Sequence, residues 1–129
     1  MRDVQTAIDR YAAAWLSGDM QAITACYHNE FTLHYFGNNA LSGDHIGKER
    51  ALVALAAFGQ RTRRRLLAIQ AKMYGPERGA ILAREALRRG AEIVEVDRLL
   101  VYAVADGLLR ECWIFDQDQR LIDEVVGRA

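Results

Sequence analysis

The chain has 129 residues and a mass of 14.5 kDa, with 51% apolar and 26% charged residues. These values are typical of one packed globular domain, here predicted to span residues 1–129, and they exclude a disordered or collagen-like chain. Seventeen basic residues balance seventeen acidic ones, so we expect neither nucleic acid nor a membrane surface as a partner. No apolar stretch reaches the roughly 20 residues that cross a bilayer, and the first residues lack a signal-peptide core, which predicts a cytoplasmic protein.

The first predicted element is a helix over residues 3–17. Apolar side chains recur there at helical spacing on one stripe, formed by Val4, Ile8, Tyr11, Ala12 and Trp15. Gly18 ends this helix and Asp19 caps a short second one, in which Ile23 and Tyr27 lie four residues apart on one face. Two antiparallel helices joined by a tight turn are therefore expected.

A strand and a third helix are predicted next. Residues 30–36 are strand formers, and one face of that strand carries Thr32, His34 and Phe36. Residues 41–47 read as a loop. Good helix formers from Lys48 to Phe58 predict the third helix, which Gly59 is expected to end.

The second half of the chain is predicted to be an antiparallel meander. Propensity alone would allow helices over residues 66–74 and 80–88, but turn signals at 75–79, 89–90 and 106–107 divide this half into strand-length pieces. A short helical turn is expected at 118–124. The predicted class is α+β, with three N-terminal helices packed on a curved antiparallel sheet.

No motif for a disulfide, a metal or a nucleotide is present. Cys26 and Cys112 form no Cys-x-x-Cys pair and are predicted to be buried thiols, and the three histidines lack metal-ligand spacing. Gly-rich phosphate loops and nucleophile elbows are also missing. We therefore predict no metal and no cofactor. The basic run at 61–65 is interpreted as solvated cations where the third helix gives way to a strand.

A curved sheet covered by helices on one face encloses a cavity where its inward side chains do not fill the space. Aromatic residues are the candidates for lining it, although each could equally be plain core. The candidates are Tyr11, Trp15, His34, Phe36, Phe58, Tyr102 and Trp113.

The order of elements and three local patterns resemble the nuclear transport factor 2-like fold, in its ketosteroid isomerase and SnoaL-like polyketide cyclase branch. The patterns are Ile8-Asp9-Arg10-Tyr11-Ala12-Ala13-Ala14-Trp15-Leu16-Ser17-Gly18-Asp19, then Phe31-Thr32-Leu33-His34-Tyr35-Phe36-Gly37 with Leu41-Ser42-Gly43 and Gly47, and finally Asp106-Gly107-Leu108-Leu109-Arg110-Glu111-Cys112-Trp113. The resemblance spans nearly the whole chain. It implies a cone of curved sheet closed by three helices, often as a homodimer, on which many functions are found.

The resemblance also implies roles for two residues. Ketosteroid isomerases carry an oxyanion-binding tyrosine seven residues before the Gly-Asp that ends the first helix, and Tyr11 stands at that spacing from Gly18. Their base is an aspartate three residues before a glycine on the first strand, and His34 occupies that place before Gly37. SnoaL-like sequences often have a histidine there. His34 is thus expected to act as the base and Tyr11 as the donor.

A second oxyanion donor, a protonated aspartate in the isomerases, would fall near Leu99, where this chain has no acid. Asp97 lies on the same strand face as Leu99 and Arg98 on the opposite one, yet a single gap would exchange the two faces. Either residue could therefore line the cavity, and Asp97 is included among the candidate catalytic residues. The Arg-x-Asp pattern of limonene epoxide hydrolases is absent from the chain.

Two functions follow from this reading. The first is a SnoaL-like enzyme that performs cofactor-free cyclisation, isomerisation or dehydration of a hydrophobic carbonyl compound, bound by Trp15, Phe36, Phe58, Tyr102 and Trp113. The second is a non-catalytic ligand-binding or structural member of the same fold. A homodimer through the outer sheet face is expected in either case, because residues 94–104 have apolar side chains in both parities.

Overall fold

The computed structural model describes residues 2–128. In chain order its elements are α1 (Arg2–Ser17), α2 (Met20–Ala25), β1 (Tyr27–Tyr35), β2 (Gly43–Ile46), α3 (Lys48–Thr62), β3 (Arg65–Tyr74), β4 (Arg78–Arg89), β5 (Glu92–Ala105), β6 (Leu108–Asp116) and α4 (Gln119–Val126). Within these residues, no helix combines the length and the apolar character needed to span a membrane.

All six strands form one open, curved sheet in the order β2-β1-β6-β5-β4-β3, with helices packed against it. The predicted α+β class and its helix-covered curved sheet are confirmed. The sheet is mixed, however, and the expectation of antiparallel pairing throughout is wrong, because β1 runs parallel to β6. Every other neighbouring pair is antiparallel. Irregular register within β3 and between β5 and β6 adds local bends that support the curvature.

Helix α1 has the predicted buried stripe. Val4, Ile8, Tyr11 and Ala12 are buried, whereas Trp15 at the end of the stripe is half-buried. The helix lies against β3 and β4 so closely that a Cβ atom built on Gly79 would come within 2.7 Å of Ile8 Cγ1. Glycine at this position therefore allows α1 to approach the sheet.

Three predicted boundaries differ from the structure. Tyr27 opens β1 and does not belong to α2, which ends at Ala25. Gly59 lies within α3, and the helix ends instead at Thr62, after which Arg63 takes the left-handed conformation with φ 53°. Part of the predicted loop forms β2, a short edge strand that pairs with β1. The predicted last helix is present as α4.

Alternation along the strands gives the sheet two distinct faces. We call the face covered by α1–α3 the inner face, and it carries buried side chains such as Phe31, Leu33 and Tyr35 of β1. The opposite face, here called the outer face, has no helix against it in residues 2–128 and leaves Phe36 and Phe115 exposed. The pocket described below opens from the inner side.

We predict that Gly79→Ala lowers the free energy of unfolding by about 1–3 kcal/mol, a usual range for overpacking. The added methyl group would meet Ile8 Cγ1 at 2.7 Å and Val4 Cγ1 at 2.9 Å, so α1 must shift. Gly59→Ala is the matched control: nothing lies within 4 Å of its Cβ position in α3, and removing a helix glycine should stabilise by about 0.5–1 kcal/mol. Urea melts measure both. Equal effects of the two substitutions would contradict the close packing of α1.

Candidate functional site

A pocket of about 140 Å³ lies between the three N-terminal helices and the inner face of β1, β5 and β6. We call it the inner pocket. Most of its wall is apolar, with Leu55 from α3, Leu100 from β5 and Ile114 from β6. Tyr11 and Trp15 reach it together because residues four apart lie on the same side of a helix, and their ring centroids are 5.8 Å apart. The pocket therefore suits an apolar molecule, and the pocket wall itself has polar groups at only a few places.

One polar point is a cluster of three tyrosines. The rings of Tyr27 and Tyr102 lie 5.5 and 5.4 Å from the ring of Tyr11, each in an edge-on arrangement. The Tyr27 hydroxyl donates a hydrogen bond of 2.8 Å to the Tyr11 hydroxyl. Burial raises the pKa of Tyr11 and raises those of Tyr27 and Tyr102 well above the ordinary value. All three are therefore neutral phenols, and Tyr11, which accepts from Tyr27, keeps its own proton to donate.

A second polar point is a fully buried ion cluster at the base of the pocket. The Arg98 guanidinium donates to both oxygens of Asp116 and, over 3.3 Å, to Oε2 of Glu85, while its carbon lies 4.1 Å from the centroid of the Phe58 ring. Burial by itself would lower the pKa of Arg98, but the charges of Glu85 and Asp116 raise it. Arg98 is thus a permanent cation, held between two carboxylates from the neighbouring strands β4 and β6.

Arg64 brings a second guanidinium to the pocket from the turn between α3 and β3. Its Nε lies 3.4 Å from Oε1 of Glu85, and its guanidinium carbon lies 6.0 Å from the ring centroid of Trp15 and 5.7 Å from that of Phe58. The side chain is 27% exposed, so it closes the ion cluster toward solvent. Two arginines against Glu85 and Asp116 leave this end of the pocket without net charge.

Comparisons with known proteins bear on the fold. No protein-family model matches the sequence, and no curated protein does. Several solved structures, however, match the fold of this chain. An NTF2-like protein from Burkholderia xenovorans superposes with a TM-score of 0.78 at 14% identity, over 98% of this chain and 97% of the other. A protein from Jannaschia sp. described as a SnoaL-like polyketide cyclase gives 0.74 at 14% identity, over 98% and 93%. TerC, co-crystallized with polyporic acid, gives 0.79 at 17% identity, over 96% and 98%.

The chain has the NTF2-like fold. Three of the residues singled out from the sequence line the inner pocket of this fold, namely Tyr11, Trp15 and Tyr102. Phe58 is buried beside the pocket, where its ring packs under the guanidinium groups of Arg64 and Arg98.

Four of the candidates lie on the outer face of the NTF2-like sheet instead: His34, Phe36, Asp97 and Trp113. The prediction that His34 and Tyr11 face one cavity is therefore wrong. In β1, Leu33 and Tyr35 point inward, so His34 between them points outward, and in β6 the inward Cys112 and Ile114 place Trp113 outward in the same way.

The open choice between Asp97 and Arg98 is decided by the same alternation. Arg98 is on the inner face and lines the pocket, whereas Asp97 is on the outer face, where its carboxylate accepts from Nη1 of Arg84 at 2.9 Å. Placing Asp97 in the cavity was incorrect. Glu85 and Asp116 were not among the site residues predicted from the sequence. Each is an acidic residue that occurs with apolar residues in its strand, which was a sign that it pairs with a basic residue.

His34 has a different environment from the one a base requires. Its Nδ1 is 2.8 Å from Oδ1 of Asp44, its Nε2 is 2.7 Å from Oε2 of Glu111, and its ring stacks on Trp113 at 5.0 Å. Burial lowers the pKa of His34, but the hydrogen bonds and charges of Glu111 and Asp44 raise it above the ordinary value. With a carboxylate at each nitrogen, the imidazolium form is favoured, and that form has no lone pair with which to take a proton.

We predict that the His34 imidazole titrates above the ordinary value of about 6.5 in an NMR pH titration, and that Glu111→Gln moves the midpoint down. Because the folded-state pKa exceeds that of the unfolded chain, His34 stabilises the fold fully below about pH 6.5. That contribution is lost as pH rises through the folded-state pKa. The stability difference between the wild type and His34→Gln should therefore shrink over that range. A midpoint below 6.5 would contradict the ion-paired placement.

Proposed function

We propose that this protein binds a small, mostly apolar, uncharged molecule in the inner pocket through one hydrogen-bond-accepting oxygen, such as that of a carbonyl group. The observation that carries the proposal is the buried Tyr11 hydroxyl, which is held by Tyr27 within an apolar pocket and retains a proton to donate. Apolar walls with a few fixed polar groups are the usual composition of a small-molecule site.

The pocket volume supports a ligand of about one ring. At about 140 Å³ it is close to the roughly 150 Å³ of an engineered apolar cavity that binds benzene. A fused-ring molecule would have to displace Met20 or Leu52, which line the pocket from α2 and α3. The pocket volume therefore favours a ligand with one ring or of similar bulk.

The charges around the pocket favour a neutral ligand. Arg64 and Arg98 are already balanced by Glu85 and Asp116, so an added carboxylate would be a buried charge without a counter-ion of its own. The groups that remain available are donors: the Tyr11 hydroxyl and the partly exposed Arg64 guanidinium. Donors select an acceptor such as a ketone or aldehyde oxygen.

Binding is better supported than acid/base catalysis. Tyr11 remains suited to stabilising a developing oxyanion, as the enzyme hypothesis requires. The other titratable groups that line the pocket are unsuited to accept a proton, because burial raises the pKa values of Tyr27, Tyr102 and Cys112 and keeps these groups protonated. His34, the base of the enzyme hypothesis, lies across the sheet. The crystal of TerC with polyporic acid supports ligand binding as a use of this fold.

We expect acetophenone to bind wild-type protein more tightly than toluene does, as measured by NMR titration. Tyr11→Phe should weaken acetophenone binding by about 2- to 10-fold, the equivalent of one net hydrogen bond, and leave toluene binding unchanged. Leu55→Trp should abolish both by filling the pocket. Val53→Trp is its control, since Val53 is 65% exposed on the same helix. Equal affinity for the two compounds in wild type, or an unaffected Leu55→Trp variant, would contradict the proposal.

We propose further that the outer face pairs with a second copy of the chain. Phe36 and Phe115 are 41% and 48% exposed there, with their ring centroids 5.3 Å apart. The charged groups flanking them are already paired within the chain, His34 with Asp44 and Glu111, and Arg84 with Glu95 and Asp97. A self-complementary apolar band with satisfied charges at its sides fits a two-fold interface.

Light scattering at tens of micromolar should give about twice 14.5 kDa. Phe115→Glu should shift the mass to that of one chain, because it places a charge in the apolar band. Leu16→Glu, at a residue 61% exposed on α1, should leave the dimer intact. A wild-type mass of 14.5 kDa under these conditions would contradict the proposed interface.

A further inference from the structure

A second, larger cleft lies at the end of the sheet where α3 gives way to β3 and where β4 and β5 meet. We call it the arginine cleft. Its volume is about 930 Å³, and α4 forms one side of it. Five arginines and one glutamate line it: Arg61, Arg63, Arg65, Arg88, Arg89 and Glu124. This concentration of positive charge occurs in a chain whose formal net charge is zero.

Two of these arginines have partners within the chain. Arg61 donates to the carbonyl oxygen of Val126 at 3.0 Å, and so ties α3 to the end of α4. Arg89 lies 3.7 Å from Glu92 and 3.6 Å from Glu124. Both therefore have a structural role that needs no ligand.

Arg63, Arg65 and Arg88 are different, because none has an ion-pair partner among residues 2–128. The interpretation of the basic run as a solvated helix end accounts for Arg61, but it does not account for the arrival of Arg88 from β4 at the same cleft. Arg64, the remaining arginine of the run, lines the inner pocket instead. Side chains that are distant in sequence thus bring three exposed guanidinium groups to one cleft, and a cleft lined mainly by one sign of charge attracts ions of the opposite sign.

We propose that the arginine cleft binds a small diphosphate ester whose organic group is apolar. A diphosphate ester has three ionisable oxygens and carries about −2 to −3 near neutral pH, which matches the three free guanidinium groups. The guanidinium fork pairs with phosphate oxygens two at a time. Val125 and the 62% exposed Ile93 give the cleft an apolar side for the rest of the molecule.

A small ligand is favoured over a nucleic acid. The arginines are confined to one cleft, which Glu124 also lines and beside which Glu92 lies, whereas a nucleic-acid backbone needs a continuous basic track. The volume is within the usual range of small-molecule sites, about 300–1,000 Å³. The site is separate from the inner pocket and does not depend on the function proposed for it.

The test is calorimetric titration with inorganic pyrophosphate, with orthophosphate as the weaker comparison. We expect pyrophosphate to bind wild type in the micromolar range and Arg65→Gln or Arg88→Gln to weaken it about tenfold each, through loss of charge-assisted hydrogen bonds. Arg88→Lys should restore only part of the loss, because lysine keeps the charge without the fork. Arg120→Gln is the matched control, an exposed arginine on α4 that does not line the cleft. Tyr11→Phe should have no effect.

The organic group is tested by comparing geranyl diphosphate with ADP. Geranyl diphosphate should bind more tightly than pyrophosphate, and Ile93→Ser should remove that gain. Tighter binding of ADP would overturn the assignment of an apolar group. An equal loss in Arg120→Gln and Arg88→Gln would show general charge attraction only and would overturn the site itself. So would a single-stranded oligonucleotide that binds more tightly than pyrophosphate and displaces it.

Discussion

The alternation of side chains along β1, β5 and β6 determines which functional groups of the sheet enter the inner pocket. In β5, Val96, Arg98 and Leu100 point inward, and Asp97 and Leu99 between them point outward. A slip of one residue would expose Arg98 and bury Asp97 without its arginine partner. The same alternation in β1 and β6 points His34 and Trp113 away from the inner pocket. The chain thus carries two chemically different surfaces on one sheet, an enclosed inner one and an open aromatic outer one.

Burial of the Arg98 cluster reinforces that register. Removing one partner of a buried ion pair leaves an uncompensated charge, which costs about 3–5 kcal/mol, so β4, β5 and β6 are favoured in the one alignment that joins Glu85, Arg98 and Asp116. Apolar side chains alone would specify this alignment less sharply, because neighbouring registers bury similar areas. The cluster also gives the inner pocket a rigid polar end, against which Phe58 and Arg64 are positioned.

Sequence patterns predicted the helix stripe of α1, the meander of β3–β6 and the fold they form, because each rests on contacts between near neighbours or on plain periodicity. The same periodicity put Tyr11 on the buried side of α1, where it lines the inner pocket. The family resemblance placed His34 in the cavity, although the alternation of Phe31, Leu33 and Tyr35 along β1 points the residues between them outward. Arg98 could be placed inside only once Glu85 and Asp116 were known to flank it from other strands. Likewise, Arg88 joins the arginine cleft through tertiary structure that no local pattern contains.

The parallel pairing of β1 with β6 has a consequence for how the protein folds. Strands β3, β4 and β5 meet partners adjacent in sequence, so their hairpins close short loops at small entropic cost. Strand β1, formed by residues 27–35, pairs instead with residues 108–116, and its docking closes a long loop that contains β2, α3, β3, β4 and β5. We therefore expect the meander to assemble early and the N-terminal helices to settle with β1 in a late step. Phe31 of β1 and Ile114 of β6 lie on opposite sides of this last strand pairing. The inner pocket that they line is therefore complete only at the end of folding.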